Sequence, residues 1–87
     1  MPVVFIPPLM RELTAGAARI EVEATTVREA IDAIEARHPG VRERLCRGDD
    51  LLPGLQVSVN DSLTRRGLDA KLAPNSEVHF LPAYGGG

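Results

Sequence analysis

The feature that most constrains the fold is one strong helix signal, at residues 25–40, in a chain that otherwise has strand-like patterns. Thr26 and Glu29 have the spacing of a capping box, in which two side chains satisfy amide hydrogens of the first helical turn. Apolar residues recur at helical spacing from Val27 onward. Pro39 ends the pattern, because proline disfavours helical geometry at the residue before it. The chain therefore has one long helix with one apolar face to bury.

Short segments with the pattern of β-strands lie on both sides of this helix. They are residues 3–6, 18–24, 56–60 and 77–81. In the second of them apolar and charged residues alternate, which is typical of a strand with one buried face. The order strand, strand, helix, strand, strand predicts an α+β domain in which the helix covers one face of the sheet. The other face of the sheet is left uncovered.

The segments between these elements are predicted to be connections. Residues 47–55 are rich in turn residues and predict a loop, and Asn60 with Asp61 predicts a turn after the third strand. A polar stretch follows, and we expect three leucines to anchor it to the core: Leu63, Leu68 and Leu72.

Alternation along the outer strands predicts an apolar patch on the uncovered face. If Val4 points toward the helix, Phe5 points away from it, and if Phe80 points inward, Leu81 points outward. Leu63 is a further candidate for this face. Exposed apolar patches on small domains mark contact sites, so we expect a partner to bind beside the last strand.

Composition excludes several classes of function. The 87 residues correspond to one domain, with a formal net charge of −2 and no tryptophan. A nucleic-acid-binding protein would show a basic surplus and stacking side chains. The longest apolar run is far short of the ~20 residues that a membrane span needs, and the first residues do not resemble a signal peptide. We expect a cytoplasmic protein that binds neither nucleic acid nor membranes.

Reactive side chains are sparse. Cys46 is the only cysteine, so no internal disulfide is expected, and it is interpreted as a small hydrophobic residue at a helix end. The two histidines have no spacing typical of a metal site or a catalytic triad. We therefore predict no metal site and no bound cofactor.

The sequence ends on three glycines, Gly85, Gly86 and Gly87. Glycine lacks a Cβ, so such a segment can pass through a channel too narrow for other residues. Its reactive group is a carboxylate, which becomes an acyl donor only after activation, for example as a mixed anhydride with AMP. That chemistry would belong to a partner enzyme. A flexible end, or the remnant of an engineered linker, explains three glycines equally well from composition alone.

Several segments together resemble the ubiquitin-like sulfur carriers: "VND" after the third strand, "SEVHFLPA" before the end, the final glycines, "IPPLMRELT" and "GVRERL". This family includes the small subunit of molybdopterin synthase, the thiamine-pathway carrier and the carrier of cysteine synthesis. The resemblance implies a β-grasp (ubiquitin-like) fold, with a mixed four- to five-stranded sheet and one main helix on one face. It implies a β-grasp domain at residues 1–81 and a flexible C-terminal tail at residues 82–87.

The resemblance also implies a function as a protein co-substrate and not as an enzyme. The carboxylate of Gly87 would be adenylated by a ubiquitin-activating-type enzyme with ATP and converted to a thiocarboxylate. The sulfur acceptor would be a cysteine synthase, the large subunit of molybdopterin synthase or a thiazole synthase, and the chain could itself be the small subunit of such a synthase. With Phe5 added from the alternation, the expected partner-binding residues are Phe5, Pro7, Leu63, Leu81, Pro82, Ala83, Tyr84, Gly85 and Gly86.

The chain departs from the usual pattern near its end. Gly85 stands where a small or hydroxyl residue is usual, and Tyr84 stands where valine is common. The receiving pathway stays open among cysteine, molybdopterin, thiamine and sulfur-containing secondary metabolites. Two other functions also stay open: a ubiquitin-like modifier joined to lysines, and a non-catalytic binding subunit with an inert tail.

Overall fold

A computed structural model describes residues 1–82 of the chain, and the elements follow the predicted order. The strands are β1 Val3–Phe5, β2 Arg19–Glu21, β3 Cys46–Arg47, β4 Asp50–Leu51, β5 Leu55–Val59, β6 Ser62–Thr64 and β7 Glu77–Pro82. The α-helices are α1 Val27–Arg37 and α2 Val41–Leu45, and 3₁₀ helices occupy Pro8–Thr14 and Gly67–Asp69.

Five strands form one mixed sheet in the order β2, β1, β7, β5, β6. The first and last strands, β1 and β7, are parallel neighbours at its centre, with Val4 beside Val78. All other neighbours in this sheet are antiparallel. With α1 packed on one face, this arrangement confirms the predicted β-grasp fold and its mixed sheet.

The core lies between α1 and one face of the sheet. Val4, Val57 and Val78 come from three adjacent strands, and all have 0% exposure. Ile31 and Ile34 from α1 are also at 0%. Each such side chain contributes roughly 1.5–3 kcal/mol when it is fully buried. The alternation read from the sequence therefore assigned the buried face of these strands correctly.

The start of α1 differs in one detail from the predicted capping box. The Thr26 hydroxyl accepts a hydrogen bond from the Glu29 amide at 3.2 Å, as expected. The Glu29 carboxylate, however, reaches one residue further back, to the amide and hydroxyl of Thr25, both at 2.8 Å. These bonds lower the pKa of Glu29, the Thr25 amide being the largest cause.

Three short strands were missed in the region predicted as loop and polar stretch. The turn residues around Gly48 form a hairpin of two-residue strands, β3 and β4, with Gly48 at φ 61°. These strands are too short to show alternation. The polar stretch begins with β6, which pairs with β5. The predicted turn between them is confirmed: Asn60 and Asp61 both have positive φ, 52° and 68°, as in a type I′ hairpin turn.

The expectation for the three anchoring leucines was wrong in one case. Leu68 and Leu72 are buried, with 4% and 9% exposure. Leu63 is 58% exposed, because it lies on β6 opposite Ser58 and shares that residue's outward direction. Leu63 therefore belongs to the uncovered face of the sheet, where the sequence had placed it as a further candidate.

Within residues 1–82 no helix combines the length and apolar character needed to cross a membrane. In the same part of the chain no group of three or more histidine, cysteine, aspartate or glutamate residues lies close enough to hold a metal ion.

Candidate functional site

The uncovered face of the sheet carries a row of residues that crosses all five strands. The register places Arg19 beside Phe5, His79 beside Ser58, and Ser58 beside Leu63. The parallel pairing of Val4 with Val78 puts Phe5 next to His79 in the middle of the row. Phe5 and Leu81 therefore lie on this face, as predicted, and Leu63 lies on it too.

The centre of the row is an aromatic stack. The rings of Phe5 and His79 are parallel, with centroids 4.2 Å apart and an angle of 7° between their planes. This stack joins β1 to β7 on the outer face of the sheet. The imidazole thus contributes a flat aromatic ring to the surface.

Shallow grooves flank β7 on both sides of the stack. One groove is lined by Gln56, Ser58, Asp61, Leu63, His79, Leu81 and Pro82. The other is lined by Phe5, Ile6, Pro7, Pro8, Arg11, His79, Phe80 and Pro82. His79 and Pro82 belong to both grooves, so the two grooves form one continuous surface. We call Phe5, Pro7, Leu63, His79 and Leu81 the open-face patch.

The open-face patch holds a large share of the exposed apolar side chains. Among the described residues the exposed large hydrophobics are Met1, Leu9, Leu63 and Leu81, and the last two belong to the patch. Leu81 is 39% exposed and Leu63 is 58% exposed. Because exposed apolar side chains that cluster on one face mark interaction sites, this face is the candidate docking surface.

The open-face patch continues to the end of β7. The strand extends to Pro82, one residue further than predicted, and Pro82 pairs with Leu55 of β5. The side-chain amide of Gln56 donates a hydrogen bond to the Pro82 carbonyl at 3.1 Å. A partner that covers the patch therefore also lies against the last described residue.

The structure brings together Phe5, Pro7, Leu63, Leu81 and Pro82, all predicted for partner binding, along the two grooves of β7. The predicted site residues Ala83, Tyr84, Gly85, Gly86 and Gly87 lie outside the described residues, and their roles stay predictions.

Two residues of this surface were not predicted as part of the site. His79 is two residues from Leu81 on the same strand, so alternation puts it on the outer face, but nothing in the sequence showed that it would stack on Phe5. The position of Gln56 depends on the pairing of β5 with β7, where it lies opposite Leu81. That pairing joins segments that are far apart in the sequence, and it has no local signal.

Cys46 lies apart from this surface. It is 7% exposed and belongs to the hydrophobic core at the end of α2. Burial is the largest cause of a raised pKa for its thiol, and a thiol is a weak nucleophile compared with a thiolate. The interpretation of Cys46 as a small hydrophobic residue is confirmed.

Comparison with known proteins agrees with this geometry. The ThiS family matches residues 4–87. Among solved structures, a chain of the Amycolatopsis orientalis BexX/CysO complex is 36% identical, with 100% of both chains covered and a TM-score of 0.89. CysO of Mycobacterium tuberculosis is 29% identical over 97% of this chain and 100% of its own, with a TM-score of 0.86.

A third solved structure extends the likeness to archaea. SAMP1 from Haloferax volcanii is 26% identical over 99% of this chain and 98% of its own, with a TM-score of 0.70. The search of curated proteins found no match. A family match over nearly the whole chain, and a relative at 36% identity aligned end to end, establish the family. The chain belongs to the ThiS family of ubiquitin-like sulfur carriers.

Proposed function

We propose that this chain carries sulfur as a thiocarboxylate on Gly87. The observation that supports it most directly is the continuity between the open-face patch and Pro82, the last residue of β7. A partner that docks on the patch receives the following residues at high effective concentration, because they are tethered to a bound body.

In this reaction the chain contributes only the Gly87 carboxylate, and a partner enzyme contributes the other groups. The Gly87 carboxylate attacks the α-phosphorus of ATP, which forms an acyl-adenylate and releases pyrophosphate. Hydrosulfide then attacks the carbonyl carbon, the bond from carbon to the phosphate oxygen breaks, AMP leaves, and the new C–SH group loses its proton. A thiocarboxylate remains on Gly87. The adenylating enzyme is of the ubiquitin-activating type and supplies ATP binding and catalysis, so the carrier needs no cofactor of its own.

Chain length limits where the activating site can lie. Residues 83–87 span at most about 17 Å when fully extended. The carbonyl of Gly87 must therefore meet ATP within that distance of Pro82. Ala83, Tyr84, Gly85 and Gly86 separate Pro82 from Gly87 in the sequence, and the three glycines suit a narrow channel because they have no side chain.

The sulfur acceptor is a biosynthetic enzyme. The resemblance to the carrier of cysteine synthesis favours a cysteine synthase over the molybdopterin synthase large subunit and a thiazole synthase. One relative occurs in a BexX/CysO complex, and we propose that this chain likewise forms a complex with its acceptor through the open-face patch. In that complex the chain supplies sulfur and the partner supplies catalysis.

Mass spectrometry tests the proposal. The chain is incubated with its cognate activating enzyme, ATP and a sulfur source, and the intact mass is measured. We expect a gain equal to the exchange of one oxygen for sulfur, located at Gly87 by fragmentation. A variant that lacks Gly86 and Gly87 is the control and should gain nothing. An unchanged wild-type mass, with an enzyme that is active on another carrier, would reject the proposal.

A second candidate function is supported by the likeness to SAMP1. The Haloferax volcanii protein is named small archaeal modifier protein 1 and is 24% identical in one of its structures. In a modifier, the activated Gly87 carbonyl would be attacked by a lysine amine of another protein. Lys71 is the only lysine of this chain, so side-chain linkage between two copies could form only there.

Proteomics separates the two functions. Digestion of cell extracts should yield peptides with a glycine remnant on lysine if the chain is a modifier, and none if it only carries sulfur. The Lys71→Arg variant removes linkage between copies and leaves linkage to other proteins. If deletion of Gly86 and Gly87 abolishes neither activity, the tail is inert and the chain acts as a binding subunit.

A further inference from the structure

A side-chain contact helps to hold the end of β7. Pro82 and Leu55 form the last pair of the β5 and β7 ladder. Proline has no amide hydrogen to donate, and the Leu55 amide donates to the Leu52 carbonyl at 3.1 Å. The described hydrogen bond that ties Pro82 to β5 comes from the Gln56 side chain, at 3.1 Å.

The chemistry of this contact fixes its direction. A carbonyl oxygen can only accept, so the amide nitrogen of Gln56 must face it. Gln56 lies opposite Leu81 on the open face and lines the same groove as Leu63 and His79. Its side chain therefore runs along the groove toward the point where β7 ends.

We propose that Gln56 is a positioning residue that sets the direction in which the chain continues beyond Pro82. The peptide unit that contains the Pro82 carbonyl also contains the Ala83 amide, and this unit is planar. Holding the carbonyl oxygen therefore orients the first bond of the segment that leads to Gly87. The inference rests on the proposed function, because orientation matters only if Gly87 is delivered to a reacting site.

The expected effect is on reaction and not on docking. If the segment after Pro82 already points toward ATP, less entropy is lost when Gly87 reaches it. Adenylation within the bound complex is then faster. The five residues of the open-face patch are unaltered when Gln56 changes, and the Gln56 amide is engaged with the Pro82 carbonyl, so we expect affinity for the activating enzyme to change little. A neutral hydrogen bond of this kind contributes enough to change a rate by roughly threefold to tenfold.

Two variants at one position provide the test. Gln56→Met keeps an unbranched side chain of similar length and removes the donor. Gln56→Lys keeps a long side chain whose ammonium group can still donate to the Pro82 carbonyl. Glu43→Gln, an exposed polar change on α2 that lines neither groove, is the control. For each variant, kcat and KM of adenylation by the activating enzyme are measured by ATP–pyrophosphate exchange, and Kd by titration without ATP.

We expect Gln56→Met to lower kcat by about threefold to tenfold with Kd unchanged, and Gln56→Lys to restore most of it. A Gln56→Met variant as fast as the wild type would overturn the inference alone. A parallel weakening of Kd would also overturn it, because Gln56 would then be a contact residue. A wild-type chain that is not adenylated would overturn the proposed function, and this inference with it.

A spectroscopic readout does not need the enzyme. Loss of a hydrogen bond to the Pro82 carbonyl changes the polarisation of the peptide unit that it shares with Ala83. The ¹⁵N shift of the Ala83 amide should therefore move in Gln56→Met, and less in Gln56→Lys. An Ala83 signal that stays in place in Gln56→Met would show that the hydrogen bond does not form in solution.

Discussion

His79 lies flat against Phe5, with ring centroids 4.2 Å apart and planes 7° apart. Because β1 and β7 are parallel neighbours, this contact joins the first strand of the chain to the last. The stack thus lies at the middle of the face that we propose for docking. It also forms a contact between two strands that are far apart in the sequence. It should therefore have a measurable energy of its own.

A double-mutant cycle measures that energy. We expect Phe5→Ala and His79→Ala to be less than additive, with a coupling of about 0.5–1.5 kcal/mol in the free energy of unfolding. Urea denaturation of the two single variants and the double variant gives the value. Strict additivity would show that the two rings contact each other without stabilising the contact between the two strands.

A charge at Leu63 should impair docking and leave the fold intact. Leu63 is 58% exposed on β6, so Leu63→Glu should change the free energy of unfolding by only about 0.5 kcal/mol. On the docking face a buried charge without a partner is costly, and we expect KM for adenylation to rise at least about fivefold. Leu9→Glu, at an 84% exposed position on the first 3₁₀ helix, is the control. Equal KM values for the two variants would place docking elsewhere.

Glu35 should make stability depend on pH. Its carboxylate accepts hydrogen bonds from the Arg42 amide at 2.8 Å and the Gly40 amide at 3.2 Å, and so joins the end of α1 to the start of α2. These bonds, that from Arg42 first, lower the pKa of Glu35 from its ordinary 4.5. A lowered folded-state pKa stabilises the protein above the ordinary pKa, and this contribution is lost as pH falls below it.

The Glu35→Gln variant tests this direction of the pH dependence of stability. Its urea midpoint should lie below that of the wild type at pH 7, and the difference should shrink as pH falls below 4.5. Glu43→Gln, a carboxylate-to-amide change on α2 itself, is the control. A difference that stays constant from neutral to acid pH would mean that the Glu35 charge contributes nothing to the link between the helices.

Cys46 should react slowly in the folded chain. Its thiol is buried at 7% exposure and its pKa is raised by that burial, so both access and thiolate content are low. Iodoacetamide should label the native chain much more slowly than the chain in concentrated urea, as followed by intact mass. Labelling at the same rate in both would indicate that the α2 end opens readily, and would reopen a reactive role for this residue.

The parts of this fold that could be predicted were those in which apolar residues recur at a regular spacing along the sequence. Helix α1 carried a 3.6-residue pattern, and Val57 with Val59 carried a two-residue pattern. Strand β6 and the hairpin around Gly48 are three residues or fewer per strand, which is too short for either period to appear. Their pairing depends on a turn and on the neighbouring strand, and a periodic pattern within the strand does not reveal it.

The candidate site likewise has a part that the sequence predicted and a part that it did not. The outward direction of Phe5 and Leu81 followed from alternation, because each is one step from a buried residue. The Phe5 and His79 stack required the parallel register of β1 and β7, and the Gln56 contact required the antiparallel register of β5 and β7. Those registers bring distant segments together, so a reading of neighbouring residues could not supply them.

The turn between β5 and β6 offers a last test, with opposite effects at adjacent positions. Asn60 and Asp61 both have positive φ, 52° and 68°, which glycine adopts without steric cost. Asn60 also accepts a hydrogen bond through its side-chain oxygen from the Glu77 amide at 2.8 Å, where β7 begins. Asn60 therefore supports both the turn and the central strand, whereas Asp61 supports only the turn.

We expect Asn60→Ala to destabilise the fold by about 1–3 kcal/mol, since it loses the hydrogen bond and strains the backbone. Asn60→Gly keeps the backbone relaxed and loses only the hydrogen bond, so it should cost less. Asp61→Gly should be neutral or stabilising because it relieves a left-handed residue. Urea denaturation of the three variants gives the order. If Asp61→Gly destabilised as much as Asn60→Ala, the Asp61 side chain would have to stabilise the turn, and positive φ alone would not explain the choice of residues there.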